Sequence, residues 1–240
     1  MKTDILAIGI HPDDVELSAS GTLLRHAAQG RSFGLLDLSL GELGTRGTPE
    51  MRTREAMEAA SILGAAFREQ LDLPDGLFAW SPENLNKIIR AIRTYQPDIV
   101  LCNAPDDRHP DHGRSARLVA DACFYAGLPK IETVGPDGKL QAPWRPKAVY
   151  HYIQDKQLTP DFVVDITPWF DQKMKAILAF RSQFYDEEHP GGPQTPISGK
   201  EFLDFMEAKA RVFGRPAQVK YAEGFICART PGVGNLFDLI

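Results

Sequence analysis

Cysteine is scarce in this chain: three in 240 residues, Cys102, Cys123 and Cys227, with no C-x-x-C pair among them. Their odd number and wide spacing exclude a disulfide framework, a zinc ribbon and a dithiol redox motif, and leave them as buried small hydrophobes of a reducing compartment. No apolar run approaches the ~20 residues of a membrane span, and Met1-Lys2-Thr3-Asp4 opens into a short apolar segment without the core or cleavage site of a signal peptide. The expectation is a soluble, cytoplasmic protein. Excess positive charge is missing too. A formal charge of -5 and a pI near 5.7 leave no dense cationic face for a phosphate backbone, so nucleic acid is not an expected partner. Internal repeats and low-complexity tracts are absent. So is a glycine-rich turn after the first apolar run, and a dinucleotide-binding module, the alternative for a doubly wound sheet, lacks its phosphate cradle.

What the chain has is an alternation of strand and helix signals. Apolar residues make up 43% of the sequence, enough for one well-filled core, and the reading is a single domain over residues 1–240. Residues 5–10 (ILAIGI) form a short continuous apolar run, the pattern of a strand buried on both faces of a parallel sheet. Helical spacing covers residues 15–29 and stops at Gly30; residues 33–40 read as a second strand and 50–63 as a helix ended by Gly64. A third strand is expected around 67–73, then a helix with Ser81 as N-cap and Pro82 at its first position, running to Tyr95. Residues 98–103 read as the fourth strand and 113–126 as a helix. Four strands alternating with helices imply an α/β fold, a Rossmann-like three-layer sandwich with a mostly parallel sheet and right-handed crossovers. Farther on, 147–153, 162–166 and 219–228 read as strands and 168–180 and 199–213 as helices. The stretch 185–198, rich in glycine, proline and acidic residues and containing His189, reads as a long surface loop and a candidate lid.

Two acidic histidine clusters stand out, His11-Pro12-Asp13-Asp14 and His109-Pro110-Asp111-His112, each directly behind an expected strand. In an open parallel sheet, ligands bind beyond the carboxyl ends of the strands, and right-handed winding makes the first and fourth strands neighbours where the strand order reverses. Residues about a hundred positions apart can then share one ion. A catalytic zinc takes three protein ligands and leaves a place for water. His11, His109, His112, Asp13, Asp14 and Asp111 supply such a set without a thiol and leave groups over for a base and an acid. Residue types alone do not separate Asp13 from Asp14. Either cluster by itself also suits a turn or helix cap, but their joint placement favours a metal centre. His26, in a helical pattern, and His151, in a strand pattern, suit packing or surface positions better than ligation. A metal-binding protein without catalysis is the remaining alternative, and the spare carboxylate and imidazole speak against it.

The stretches Gly9-Ile10-His11-Pro12-Asp13-Asp14-Val15-Glu16 and Asp107-Arg108-His109-Pro110-Asp111-His112 resemble the LmbE-like, or PIG-L, family of zinc-dependent N-acetylglucosamine deacetylases. Residues 47–52, Ser182-Gln183-Phe184 and 221–225 extend the resemblance over nearly the whole chain, which is most similar to the bacterial branch that deacetylates N-acetylglucosaminyl malate in bacillithiol biosynthesis. Another N-acetylated sugar, or the amide of a bacillithiol conjugate, is the alternative substrate. The resemblance implies the LmbE-like fold. It also implies His11, Asp14 and His112 as zinc ligands, Asp13 as general base, and His109 as the group that stabilises the oxyanion and protonates the leaving amine, with Asp111 orienting its ring. Another divalent transition metal suits the same ligands. Arg52 matches a substrate-contacting arginine of the family. Arg46 and Arg108 are expected at the same sheet end, and with Arg145 they complete a candidate set for the carboxylates of a malyl group, which arginine forks match bidentately. Phe202 stands where some relatives have a tyrosine. The resemblance further implies a homo-oligomer such as a hexamer, with the apolar tail 233–240 as a candidate contact, and no membrane partner.

Overall fold

A computed structural model describes residues 2–185 and 192–238. Its seven-stranded sheet contains β1 (Ile5–Gly9), β2 (Phe33–Asp37), β3 (Arg68–Gln70), β4 (Ile99–Cys102), β5 (Ala148–Tyr152), β6 (Phe162–Asp165) and β7 (Ala222–Cys227). The spatial order is β3-β2-β1-β4-β5-β7-β6. The first five strands pair in parallel, whereas β7 lies antiparallel to both β5 and β6. All five residues of β1, an unbroken apolar run, are buried, as are those of β2, whose terminal Asp37 is paired with Arg68. Successive side chains alternate between faces. Ile5 and Ala7 therefore pack with Leu23, Ala56, Leu63 and Phe180 on one side, while Leu6 and Ile8 pack with Ile88, Ile92, Leu118 and Val119 on the other.

The helices are α1 (Asp14–Ser18), α2 (Ser20–Ala28), α3 (Pro49–Leu63), α4 (Pro82–Tyr95), α5 (Pro110–Ala126), α6 (Phe170–Leu178) and α7 (Lys200–Gly214). One layer is formed by α1, α2, α3 and α6 and the opposite one by α4 and α5; α7 packs on β7. Local signals account for several boundaries. Thr48 and Ser81 accept hydrogen bonds from Met51 N and Asn84 N, each with a proline starting the helix behind it, and Gly64 closes α3 in the left-handed conformation at φ 73°.

The expected helix over 15–29 is broken at Ala19, and the reason lies far away in sequence. Glu223 on β7 accepts hydrogen bonds from Gly21 N and Thr22 N at 3.0 and 2.7 Å, capping α2 with a distant carboxylate. β3 is only three residues long, not the whole of 67–73. α5 begins at Pro110 instead of Gly113, with His109 as its N-cap, so the second histidine cluster is the first turn of a helix. His189 lies outside the described residues, as do residues 186–191 of the candidate lid as a whole. Among the described residues, no helix is long and apolar enough to cross a membrane.

Candidate active site

β1 and β4 are adjacent, and the chain leaving each one enters a common cavity of about 340 Å³. Behind β1 the backbone folds back tightly. Asp13 N and Asp14 N both donate to His11 O, and a Cβ on Gly9 would stand 2.9 Å from the Asp14 Cβ, so only glycine fits there. Asp13 itself has φ 153°, outside the conformations that side-chain-bearing residues favour. Such backbone strain concentrates at functional sites, where the surroundings hold it in place. Behind β4 the geometry is ordinary, and the α5 N-terminus carries the second cluster.

The two loops meet at Asp14. Its Oδ2 accepts from His11 N and Asn103 Nδ2, both at 2.9 Å, and its Oδ1 accepts from Gln154 Nε2 at 2.8 Å. His112 Nε2 lies 3.2 Å from Asp14 Oδ1, and His11 Nδ1 lies 3.7 Å from Asp14 Oδ2. The outer nitrogens of both rings have carboxylate partners: His11 Nε2 is 3.0 Å from Asp75 Oδ1, and His112 Nδ1 is 2.6 Å from Asp107 Oδ2. The His109 ring sits 4.8 Å from His11 and 5.2 Å from His112, centroid to centroid. Nitrogens of the three rings all lie within 4.8 Å of one another. The structure thus brings His11, Asp14, His112 and His109 together. Imidazole and carboxylate donors without a thiol, with the outer ring atoms already held, fit a divalent transition metal.

The charges follow from burial and pairing. Burial opposes ionisation of Asp14, yet the His112 and His11 rings outweigh it and hold the carboxyl well below its usual range. Burial works against His112 as well, but Asp14 and Asp107 push it up to about 9. Asp13 goes the other way: burial lifts it to about 7, although Arg52 pulls it down. Burial, followed by repulsion from His11 and His112, holds His109 below its ordinary value. Its Nδ1 accepts from Asp111 N at 3.3 Å, which leaves the proton of the neutral ring on Nε2.

Asp111 does not orient His109 through its carboxylate. One of its oxygens pairs with Arg114 and the other accepts from Gly76 N, 3.5 Å from His11 Nε2, so the hydrogen bond to His109 comes from its backbone. Arg52 lines the cavity but is buried and committed, with Nη2 on Asp13 Oδ2 at 3.2 Å and on Pro12 O, and Nη1 on Gly41 O. Arg46 and Arg108 also line the cavity. Arg46 donates to Ser182 O and Pro193 O, and Arg108 pairs with Asp155. Arg145 is not brought here: it precedes β5 at the opposite sheet end, donates to Phe124 O and lies over the Phe124 ring at 4.4 Å. Phe202 does line the cavity, stacked on Phe184. Asp75, Asn103 and Gln154 had no role in the sequence reading, and Asp107 figured only as part of a motif. Their one signal is position, since each follows a strand at the carboxyl end of the sheet.

The family model of PIG-L, GlcNAc-PI de-N-acetylase, matches residues 6–123. The crystal structure of the conserved protein TT1542 from Thermus thermophilus superposes with a TM-score of 0.82 and 37% identity, covering 97% of this chain and 98% of that one. Diacetylchitobiose deacetylase of Thermococcus kodakarensis is 27% identical over 230 residues, 92% of this chain and 81% of the relative. Residues 6–123 match this de-N-acetylase family, and the chain is an enzyme of the hydrolase class that acts on amide bonds. Other chemistry occurs on related chains: 4-oxalmesaconate hydratase of Pseudomonas putida is 28% identical over 203 residues, 74% of this chain and 73% of the relative.

Proposed function

We propose that the protein is a zinc-dependent deacetylase that removes acetate from a conjugate of N-acetylglucosamine, N-acetylglucosaminyl malate foremost. The observation carrying this reading is the convergence of His11, Asp14 and His112 on one cavity floor, with Asp13 and His109 left over beside them. A zinc ion on those three residues supplies Lewis-acid polarisation of the acetyl carbonyl and lowers the pKa of water to about 7. The chain's own groups supply the rest. Asp13 accepts a proton from the attacking water as the new C–O bond forms, and Arg52 holds its carboxylate in place. His109, with its proton on Nε2, donates to the developing oxyanion and passes that proton to the nitrogen as the C–N bond breaks, while the proton that Asp13 drew from the water replaces it on the ring. Acetate and a free amino-sugar leave.

Arg46 and Arg108 supply the cations for a malyl group. Both line the cavity, and neither is buried against a catalytic carboxylate as Arg52 is. The test is acetate release by the purified protein, with metal analysis of the same sample, from N-acetylglucosaminyl malate, diacetylchitobiose and an acetylated bacillithiol conjugate. Stoichiometric zinc and fastest release from the malyl substrate are expected. Faster turnover of diacetylchitobiose would move the assignment to neutral sugars, and no acetate from any of the three would overturn deacetylation.

A further inference from the structure

Asp75 lies in the turn after β3 and is buried at 6% exposure. Both of its oxygens are used. Oδ1 meets His11 Nε2 at 3.0 Å and Oδ2 accepts from Leu43 N at 2.9 Å, while its own backbone N–H donates to Glu42 Oε1 at 2.8 Å. The turn is itself anchored, with Leu73 N on Leu38 O and Gly76 N on Asp111 Oδ2. Leu43 belongs to the loop behind β2 that carries Gly44, Thr45 and Arg46 along the cavity. One carboxylate therefore joins the His11 ring to the loop that faces substrate. Asp111 is the competing partner for Nε2, but it stands farther off at 3.5 Å, and Arg114 and Gly76 N already occupy its oxygens.

We propose that Asp75 is a positioning residue, whose carboxylate holds the His11 proton at Nε2, turns Nδ1 toward Asp14, and fastens the 41–46 loop to that ring. The inference rests on the reading of His11, Asp14 and His112 as metal ligands. A neutral imidazole can present a lone pair at only one nitrogen, so the acceptor at Nε2 decides which atom faces the ion. Outer carboxylates of this kind fix ring orientation and raise ligand basicity, and their removal costs roughly 10–100-fold in metal affinity. Asp107 stands in the same relation to His112. Asp107 spends its other oxygen on Asp155 N and Lys156 N in the loop behind β5, and Asp75 spends its own on Leu43 N in the loop behind β2, so loss of Asp75 reaches both the metal and the substrate side.

Asp75→Asn and Asp75→Ala test this, with zinc affinity measured by chelator competition and the His11 tautomer by nitrogen-15 NMR of the zinc-loaded protein. Asparagine keeps the shape and one acceptor, which safeguards folding. The expected result is an Nε2–H tautomer at His11 in the unsubstituted protein, zinc affinity about 10–100-fold weaker in Asp75→Ala, and a smaller loss in Asp75→Asn. KM should also rise in Asp75→Ala. Zinc affinity within twofold of the parent in both variants, with the tautomer unchanged, would overturn the proposal while leaving the ligand assignment intact. Two zinc equivalents in the parent and one in Asp75→Ala would make Asp75 a ligand, which also overturns it. If His112→Ala binds zinc as tightly as the parent, the ligand assignment fails and the proposal fails with it.

Discussion

The loops behind β1 and β4 face each other across one cavity, but they are built by different means. The first is forced: Asp13 sits at φ 153°, Gly9 has no room for a Cβ, and Asp14 is held by Asn103 and Gln154 from two other strand ends. The second is merely started. His109 caps a regular helix, Pro110 opens it, and Asp111 and His112 fall in its first turn. Strain is confined to the loop that carries the proposed base, Asp13, and is absent from the loop that carries the proposed acid, His109. The base therefore depends on many distant contacts, whereas the acid needs only a helix end.

Breaking the shared point should have the largest effect. Asp14→Ala and His112→Ala are expected to lose bound zinc and to lower acetate release by about 10³-fold or more, since each removes a proposed ligand to the ion. Elemental analysis and a coupled acetate assay check this, and full zinc in either variant would separate the two loops functionally. The arginines sharpen the contrast next. Arg52→Lys should lower kcat by about tenfold with KM within threefold, because its partner is Asp13; Arg108→Met should raise KM for the malyl substrate and leave kcat near the parent value. A KM effect at Arg52 alone would return that residue to substrate binding.

The support behind Asp14 gives a smaller effect, read as stability. Lys209 donates to Gln154 O, the residue whose amide holds Asp14, and burial brings the lysine down to about 7, with Lys173 adding repulsion and Asp107, Asp155 and Glu223 opposing it. From pH 7 to about 10.5 the unfolded chain binds the extra proton, so this group's contribution to stability rises with pH across that window. The difference in Tm between the parent and Lys209→Met should shift in the parent's favour from pH 7 to pH 9.5. A flat difference would contradict the buried placement of the ammonium. The smallest effect is expected from Arg145→Ala, at the far end of the sheet, where kcat/KM should stay within about twofold.

Much of this architecture was legible because the signals are local. Apolar runs mark β1, β2 and β4, and Ser81-Pro82 announces its helix within four residues. The break at Ala19 was not, because the carboxylate that caps α2 arrives from Glu223, about two hundred positions away. Nor was the insertion of β7 between β5 and β6, an antiparallel pairing that no alternation of strand and helix foretells. At the site, histidine and aspartate motifs pointed to the cavity floor, while the residues that aim them did not stand out. Asp75 follows a proline and precedes a glycine, which reads as a turn, and only the folded chain sets it beside His11. The pairing of Arg52 with Asp13 was out of view because the two lie 39 positions apart.

The central claim is that Asp13 moves the proton while its neighbours hold the metal, and Asp13→Asn tests it most directly. Zinc content and acetate release are measured on the same sample of the variant. The account predicts one equivalent of zinc, as in the parent, with kcat lowered by roughly 10²–10⁴-fold. Undiminished acetate release at full zinc occupancy would contradict it.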